Sequence, residues 1–222
     1  MCWTRSPRPS HDSRRGGLMR SGSFVMAAVM VFLLVHAGSG EDAVGDTALP
    51  GQVRTAHAQH APDQIPFITT WKTNAANQTI TIPLSGYDLT IHWGDGTNST
   101  EVFGPATHTY ANPGTYTVSV YGDLVAISLY DHSDAPRLVS IDQWGNMSWT
   151  TMRLAFQGAI NMVYAATDSP DLSGVTDMSG MFFDASSFNG DISSWDVSSV
   201  NDMSAMFFGA ASFNQPLDGW DV

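Results

Sequence analysis

The chain has one cysteine, few basic residues and no long apolar run. Cys2 is the only cysteine among 222 residues, so a disulfide within the chain is excluded. Cysteine catalysis is also excluded once an N-terminal leader that contains Cys2 has been removed. The longest apolar run, residues 24–35, is too short to cross a bilayer. These absences leave a chain that depends on packing rather than on covalent cross-links.

The N-terminus has the pattern of a secretory signal peptide. Five arginines precede the run at 24–35, and the small residues 37–40 follow it. We therefore expect a signal peptide over residues 1–40, cut after Ser39 or Gly40, and a secreted or cell-surface product without membrane insertion. An uncleaved N-terminal anchor is the alternative. Met19 is a second candidate for the initiating residue.

The charge is strongly acidic, at −12 for the whole chain. Removal of residues 1–40 would leave 4 basic residues against 20 acidic ones, and neither lysine nor arginine occurs after Arg153. Such a surface repels nucleic acid and anionic lipid, so we expect neither as a partner. Strong acidity also keeps a secreted protein soluble, and that explanation needs no partner.

Residues 41–64 are rich in alanine, glycine, proline and polar side chains, and we interpret them as a flexible linker. Apolar and polar residues alternate over much of residues 65–139, as in half-buried strands. The pattern predicts strands at 79–82, 89–93, 116–120 and 125–129.

Two motifs in this part carry a family resemblance: WGDGT at 93–97 and HTYANPGTYTVSVYG at 108–122. Together they resemble the PKD-like module, an extracellular immunoglobulin-type β-sandwich. The resemblance implies an antiparallel β-sandwich over residues 65–139. Trp93 and Tyr110 are expected in its core, and Asp95 is expected to shape the turn.

The C-terminal part is a repeat. Residues 173–197 and 198–222 are identical at 15 of 25 aligned positions, and a degenerate unit lies at about 146–172. A fixed period of this length is typical of a solenoid, in which each unit buries its apolar face against its neighbours. We therefore expect a repeat region over residues 140–222, and an array that is truncated at its last unit.

Each unit is predicted to contain a short helix and a short strand. Val175, Met178, Met181, Phe182 and Ala185 have the spacing of one helical face, with Thr176 and Asn201 as N-caps. The predicted fold class is therefore α+β: an antiparallel sandwich followed by a helix/strand solenoid. The residues expected to form the repeat core are Met178, Met181, Phe182, Phe188, Trp195, Met203, Met206, Phe207, Phe213 and Trp220.

The motifs VTDMSGMF, SFNGDISSWDVSSV and SFNQPLDGWDV resemble the BspA-like family of surface-protein repeats, which are often grouped with leucine-rich repeats. The resemblance covers residues 146–222. It implies a secreted or cell-surface protein, in some cases one that adheres to host matrix or to other cells.

No motif predicts catalysis, a cofactor or a metal site. Residues 131–134 (DHSD) contain the residue types of a hydrolase triad but are interpreted as a polar turn, because neighbours on one loop cannot adopt triad geometry. The pair His57 and His60 has no further ligand nearby. Calcium at the recurring aspartates (Asp191, Asp196, Asp202, Asp221) stays a minor alternative to turns and caps.

Three sequons, at Asn77, Asn98 and Asn146, are possible N-glycosylation sites.

The leading hypothesis is a non-enzymatic secreted or surface protein that binds an extracellular protein or glycan through its solenoid. Two alternatives stay open. The chain could be an accessory fragment of an extracellular hydrolase, or a structural spacer of a surface layer. The ligand, the mode of surface attachment and the oligomeric state do not follow from the sequence.

Overall fold

The computed structural model describes residues 63–221, which all lie in one compact unit of the chain. The predicted signal peptide, Met19, His57, His60 and the linker up to residue 62 lie outside the described residues. Eight strands are present: β1 Phe67–Thr73, β2 Gln78–Ile82, β3 Leu84–His92, β4 Asn98–Val102, β5 Ala106–Tyr110, β6 Gly114–Ile127, β7 Leu138–Gln143 and β8 Val163–Tyr164.

Residues 67–143, which we call the sheet region, contain most of these strands. Six strands form one sheet in the order β4-β3-β6-β1-β7-β8, and β2 pairs with β5 in a second sheet. All pairs are antiparallel except β7 with β8. Alternate residues of β1 are buried, and the apolar side chains of both sheets belong to one core cluster. Trp93 and Tyr110 lie in that core, each about 1% exposed.

The predicted strands 116–120 and 125–129 are one continuous strand, β6. Gly122 permits this continuity because it adopts φ +103, a conformation that glycine tolerates. A Cβ at this position would lie 2.5 Å from the Asp88 carbonyl oxygen. The close approach of β3 therefore requires a glycine within the strand.

The predicted helices are wrong, and so is the α+β class. Residues 63–221 contain no α-helix, only a 3₁₀ turn at Ala135–Arg137, and the fold is mostly β. Where helices were predicted, the chain forms three turn segments: 152–159, 178–185 and 203–210. In each, N–H groups donate to the carbonyl three residues earlier, as from Met181 to Met178, Phe183 to Gly180 and Ala185 to Phe182. In the second unit the predicted strand is also absent, and residues 186–197 contain two turns without regular secondary structure. In the first unit the strand is limited to the two residues of β8.

Within each turn segment, two residues have a left-handed backbone conformation. The third and seventh residues of each segment have positive φ, at Leu154 and Gly158, Gly180 and Asp184, and Ala205 and Gly209. A left-handed residue at these places prevents the i to i−4 bonds of a helix. The remaining N–H groups donate to the next coil instead. Four backbone N–H groups of the second segment donate to carbonyls of the next coil at 2.7–2.9 Å: Met178 to Asp202, Gly180 to Ser204, Phe182 to Met206 and Asp184 to Phe208.

This arrangement explains why the apolar spacing resembled a helix. Each turn is closed by a hydrogen bond between residues three apart, and successive turns overlap. Side chains at i, i+3, i+4 and i+7 therefore lie on one side, as they do in a helix. Val175, Met178, Met181, Phe182 and Ala185 are indeed all fully buried. They face the interior of the stack from turns, so Thr176 and Asn201 cap no helix.

Aromatic rings fill the interior of the stack. Phe156, Phe182 and Phe207 form one column with ring centroids 5.8 Å apart, and Phe188 and Phe213 form a second at 5.7 Å. Six of the expected core residues are at most 3% exposed: Met178, Met181, Phe182, Phe188, Trp195 and Met206. In the last coil, Met203, Phe207, Phe213 and Trp220 are only partly buried.

The two regions share a sheet and a core. The expected boundary between residues 139 and 140 falls inside β7, which pairs with β1 on one side and with β8 on the other. Trp144 contacts Phe67 of β1 at 5.7 Å, Phe156 at 5.9 Å and Trp195 at 5.4 Å between ring centroids. The region from 144 to 221, which we call the coil region, is therefore packed directly against the sheet region.

Candidate binding groove

The candidate site is a groove where the sheet region meets the first coil. Two adjoining clefts form it, and they share Ser85 and Ser128. The first cleft, of about 480 Å³, includes Tyr87, Phe103 and two prolines, Pro83 and Pro105. The second, of about 520 Å³, includes Tyr130, Thr151, Arg153 and Leu154. Both volumes fall within the range of about 300–1,000 Å³ that is typical of ligand clefts.

Three exposed aromatic rings line this groove. Tyr87 and Phe103 are each 66% exposed, and Tyr130 is 64% exposed. Rings of this size are normally buried, and a cluster of them at a cleft is unusual for a soluble surface. The groove therefore offers several apolar faces to a ligand.

Irregularities of the strands hold two of these rings outward. In β3 the register with β6 shifts between Tyr87 and Thr90, and Asp88 has φ +50. Residues Tyr87 and Asp88 are consecutive and both exposed, so the ordinary alternation fails there. Tyr130 follows buried Leu129 and precedes Asp131, which has φ +46. The exposure of these rings could not be predicted from the sequence, because alternation alone predicts no bulge.

Hydroxyl groups supply the polar part of the groove. They belong to Ser85, Ser128, Thr151 and the two tyrosines. Among the side chains that line the two clefts, Arg153 is the charged one, and its Nε lies 3.8 Å from Asp177. Although the chain is strongly acidic, carboxylates are not among these lining side chains.

The polar turn at residues 131–134 does not have the geometry of a triad. His132 accepts the backbone N–H of Asp134 on Nδ1 at 3.2 Å. The Asp134 carboxylate accepts from the Thr81 backbone at 2.9 Å and from Arg137 at 2.8 Å. These bonds tie the turn to β2 and to the 3₁₀ turn, as a structural element would require.

Asp95 lies in the predicted GDG turn and accepts hydrogen bonds from three groups. They are the backbone and hydroxyl of Thr97, at 3.0 and 2.6 Å, and His108 Nε2, at 2.7 Å. Burial alone would raise the pKa of Asp95, but these hydrogen bonds outweigh it and lower the pKa to about 2. The His108 ring stacks on Trp93 at 4.8 Å. Asp95 thus shapes the turn and joins it to β5.

Three of the four recurring aspartates, Asp191, Asp196 and Asp202, each close a local turn, and Asp177 does the same. Asp177, Asp191, Asp196 and Asp202 accept the backbone N–H of the serine two residues later, at 2.8–3.1 Å. The hydrogen bond from the serine side chain, and then the one from its backbone N–H, lower the pKa of Asp191 and Asp196. For Asp202 the backbone N–H of Ser204 is the larger cause of the lowered pKa and the Ser204 side chain the second. Groups of three or more metal-ligating side chains do not occur within residues 63–221.

The three sequon asparagines are exposed. Asn77 has φ +54 and lies between β1 and β2, whereas Asn98 begins β4. The Asn146 amide donates to the Asp63 carbonyl at 3.2 Å, and its oxygen accepts from the Ile65 backbone at 2.9 Å. Asn146 thus ties down the segment that precedes β1.

Within the described part of the chain, the structure has no helix of the length and apolar character that membrane crossing requires.

One comparison with known proteins gives a match, which covers the coil region and the last part of the sheet region. Residues 129–222 match a family described as "Mycoplasma protein of unknown function, DUF285". The match begins at Leu129, whose N–H donates to Ala155 of the first turn segment at 3.1 Å. Searches of curated proteins and of solved structures gave no match. The chain is thus similar to that family over its coils and the segment that leads into them.

Proposed function

We propose that this chain is a secreted or surface-displayed binding protein that has no catalytic role. The observation that carries the proposal is the groove with three exposed aromatic rings, Tyr87, Phe103 and Tyr130. Exposed aromatic clusters in clefts mark interaction sites, and the apparent signal peptide would deliver them outside the cell. The groove replaces the outer side of the solenoid as the proposed contact surface, because it combines concave shape with apolar faces.

The proposal is tested with the secreted chain on an array of extracellular matrix proteins and oligosaccharides. The triple variant Tyr87→Ser, Phe103→Ser, Tyr130→Ser removes the rings without removing core residues. Phe208→Ser is the matched control, since Phe208 is also 64% exposed but lies on the last coil. We expect the wild type and the control to bind the same ligand and the triple variant to lose it.

Thermal melts must show that all three proteins fold. If the wild type captures nothing on the array, the chain acts as a spacer and the proposal is wrong. If the folded triple variant binds as well as the wild type, the groove is not the site.

A further inference from the structure

The side chains that line the groove indicate a class of ligand, which deepens the function proposed above and rests on it. We infer that the groove binds a neutral oligosaccharide chain, with sugar rings stacked on Tyr87, Phe103 and Tyr130. Three properties of the lining favour such a ligand: its aromatic faces, its hydroxyl groups and its lack of carboxylates.

The aromatic faces match the apolar faces of sugar rings. A pyranose presents C–H groups on one face, and these carry the partial positive charge that the negative face of an aromatic ring attracts. Tyr87 and Phe103 line the same cleft, and Tyr130 lines the adjoining one, with Ser85 and Ser128 between them. The three rings therefore line two clefts that adjoin at Ser85 and Ser128, which offers stacking faces to more than one sugar of a chain.

The hydroxyl groups match the other faces of a sugar. Ser85 and Ser128 can each donate and accept a hydrogen bond, as sugar hydroxyls can. The Thr151 hydroxyl already donates to the Asp177 carbonyl at 3.3 Å and accepts the Arg153 backbone N–H at 3.1 Å, so it offers a ligand one further acceptor position. Ser85 is exposed, and Ser128 and Thr151 are half-buried at the surface, so all three are accessible. A ligand rich in hydroxyls can satisfy these groups without bringing a charge.

The negative net charge of the chain disfavours acidic glycans as ligands, and the lining of the clefts offers no carboxylate to a basic peptide. The chain has a net charge of −12, which repels sulfated or carboxylated sugars. A basic peptide would seek carboxylates, and these are not among the side chains lining the clefts. The lining cation, Arg153, lies at one end near Asp177. A neutral ligand is the one that this lining fits.

The test uses isothermal titration of the secreted chain with four neutral hexasaccharides: cellohexaose, xylohexaose, mannohexaose and chitohexaose. A hyaluronan hexasaccharide is the anionic probe, and decaproline is the peptide probe, because proline-rich segments also dock on aromatic grooves. We expect at least one neutral hexasaccharide to bind and the anionic one not to bind. Each ring removed should weaken binding about threefold to tenfold.

Matched variants separate stacking from folding. Tyr130→Phe keeps the ring and should retain most of the affinity, whereas Tyr130→Ser should weaken binding about threefold to tenfold. Phe208→Ser should bind as the wild type does. Failure of all four neutral hexasaccharides overturns the inference. If decaproline or an array protein then binds through the three rings, the proposed binding function stands with a different ligand. If none of these binds, both proposals are wrong.

Discussion

The sheet region and the coil region bury similar side chains but satisfy their backbones differently. In the sheet region, long antiparallel ladders such as β1 with β6 pair the backbone across strands. In the coil region, alternate N–H groups close turns within a coil and the rest bond to the next coil. The sheet region is thus held by non-local pairing, whereas each coil depends on its immediate neighbour for both hydrogen bonds and burial.

This dependence is visible at the last coil. Phe182 is fully buried between Phe156 and Phe207, whereas Phe207, its counterpart one coil later, is only partly buried. The same amino acid therefore contributes differently according to whether a following coil covers it. The predictions below test this comparison, beginning with the change that should affect both regions.

Trp144→Ala should give the largest effect, because the Trp144 ring packs against the sheet region and the coils together. Its Nε1 also donates to Tyr164 Oη at 2.9 Å. Loss of so large a buried ring should lower the free energy of unfolding by about 3–5 kcal/mol. Urea denaturation followed by circular dichroism and by fluorescence measures it. Trp220→Ala is the control and should cost less, since Trp220 is only partly buried.

Two separate transitions in the wild type, with Trp144→Ala shifting just one of them, would contradict the shared core. A single transition that shifts as a whole is expected.

Phe182→Ala and Phe207→Ala form a matched pair within one column. We expect Phe182→Ala to cost about 3–5 kcal/mol, as for a fully buried phenylalanine. Phe207→Ala should cost clearly less, because part of its surface already meets solvent. The shift of the urea midpoint gives the loss in free energy of unfolding for each variant, provided that the dependence of this free energy on urea concentration is unchanged. Equal losses would show that burial by the next coil does not decide the contribution of this position.

Gly180→Ala and Ala205→Gly exchange residues at the same left-handed position of consecutive coils. Gly180 has φ +60 and Ala205 has φ +53. A left-handed conformation costs a residue with a Cβ about 1–2 kcal/mol, and glycine loses about 0.5–1 kcal/mol in chain entropy. Ala205→Gly should therefore stabilise slightly, by about 0.5 kcal/mol, and Gly180→Ala should destabilise.

Gly180→Ala has a second cost, since the new Cβ would meet Leu154 Cδ2 at 2.5 Å. Thermal melts of both variants check the signs. A stabilising Gly180→Ala would be incompatible with the turn geometry described here.

Asp95→Asn should give the smallest effect at neutral pH, about 0.2–1 kcal/mol, because asparagine can still accept from Thr97. The pKa of Asp95 in the folded chain, about 2, lies below its value of about 3.9 in unfolded chains. Its charge therefore stabilises the fold above about pH 4, and this contribution is lost as the pH falls through about 2.

Urea titrations at pH 5, 4, 3 and 2 check this prediction. The coil aspartates with lowered pKa values, such as Asp191, weaken the wild type and the variant alike in acid. The difference between the two proteins therefore isolates Asp95. A difference that stays constant from pH 5 to pH 2 would show that the Asp95 charge contributes nothing.

The repeat pattern alone identified most of the side chains buried in the coils, because a side chain must be apolar to be covered on both sides. Phe182, Phe188 and Trp195 could thus be located from the repeat alone. Four others expected in the core are only partly buried: Met203, Phe207, Phe213 and Trp220. Local alternation also indicated three of the seven strands of the sheet region, β2, β3 and β6, and the GDG motif indicated the turn at Asp95.

The tertiary structure alone decided how the coils are built and where the groove lies. The spacing from Val175 to Ala185 is compatible with a helix or with overlapping turns, and only bonds to the next coil, such as Phe182 to Met206, select the turns. The groove depends on the bulge at Tyr87 and on the packing of Tyr130 beside the first coil. Both are contacts between residues far apart in the chain, and no local pattern encodes them.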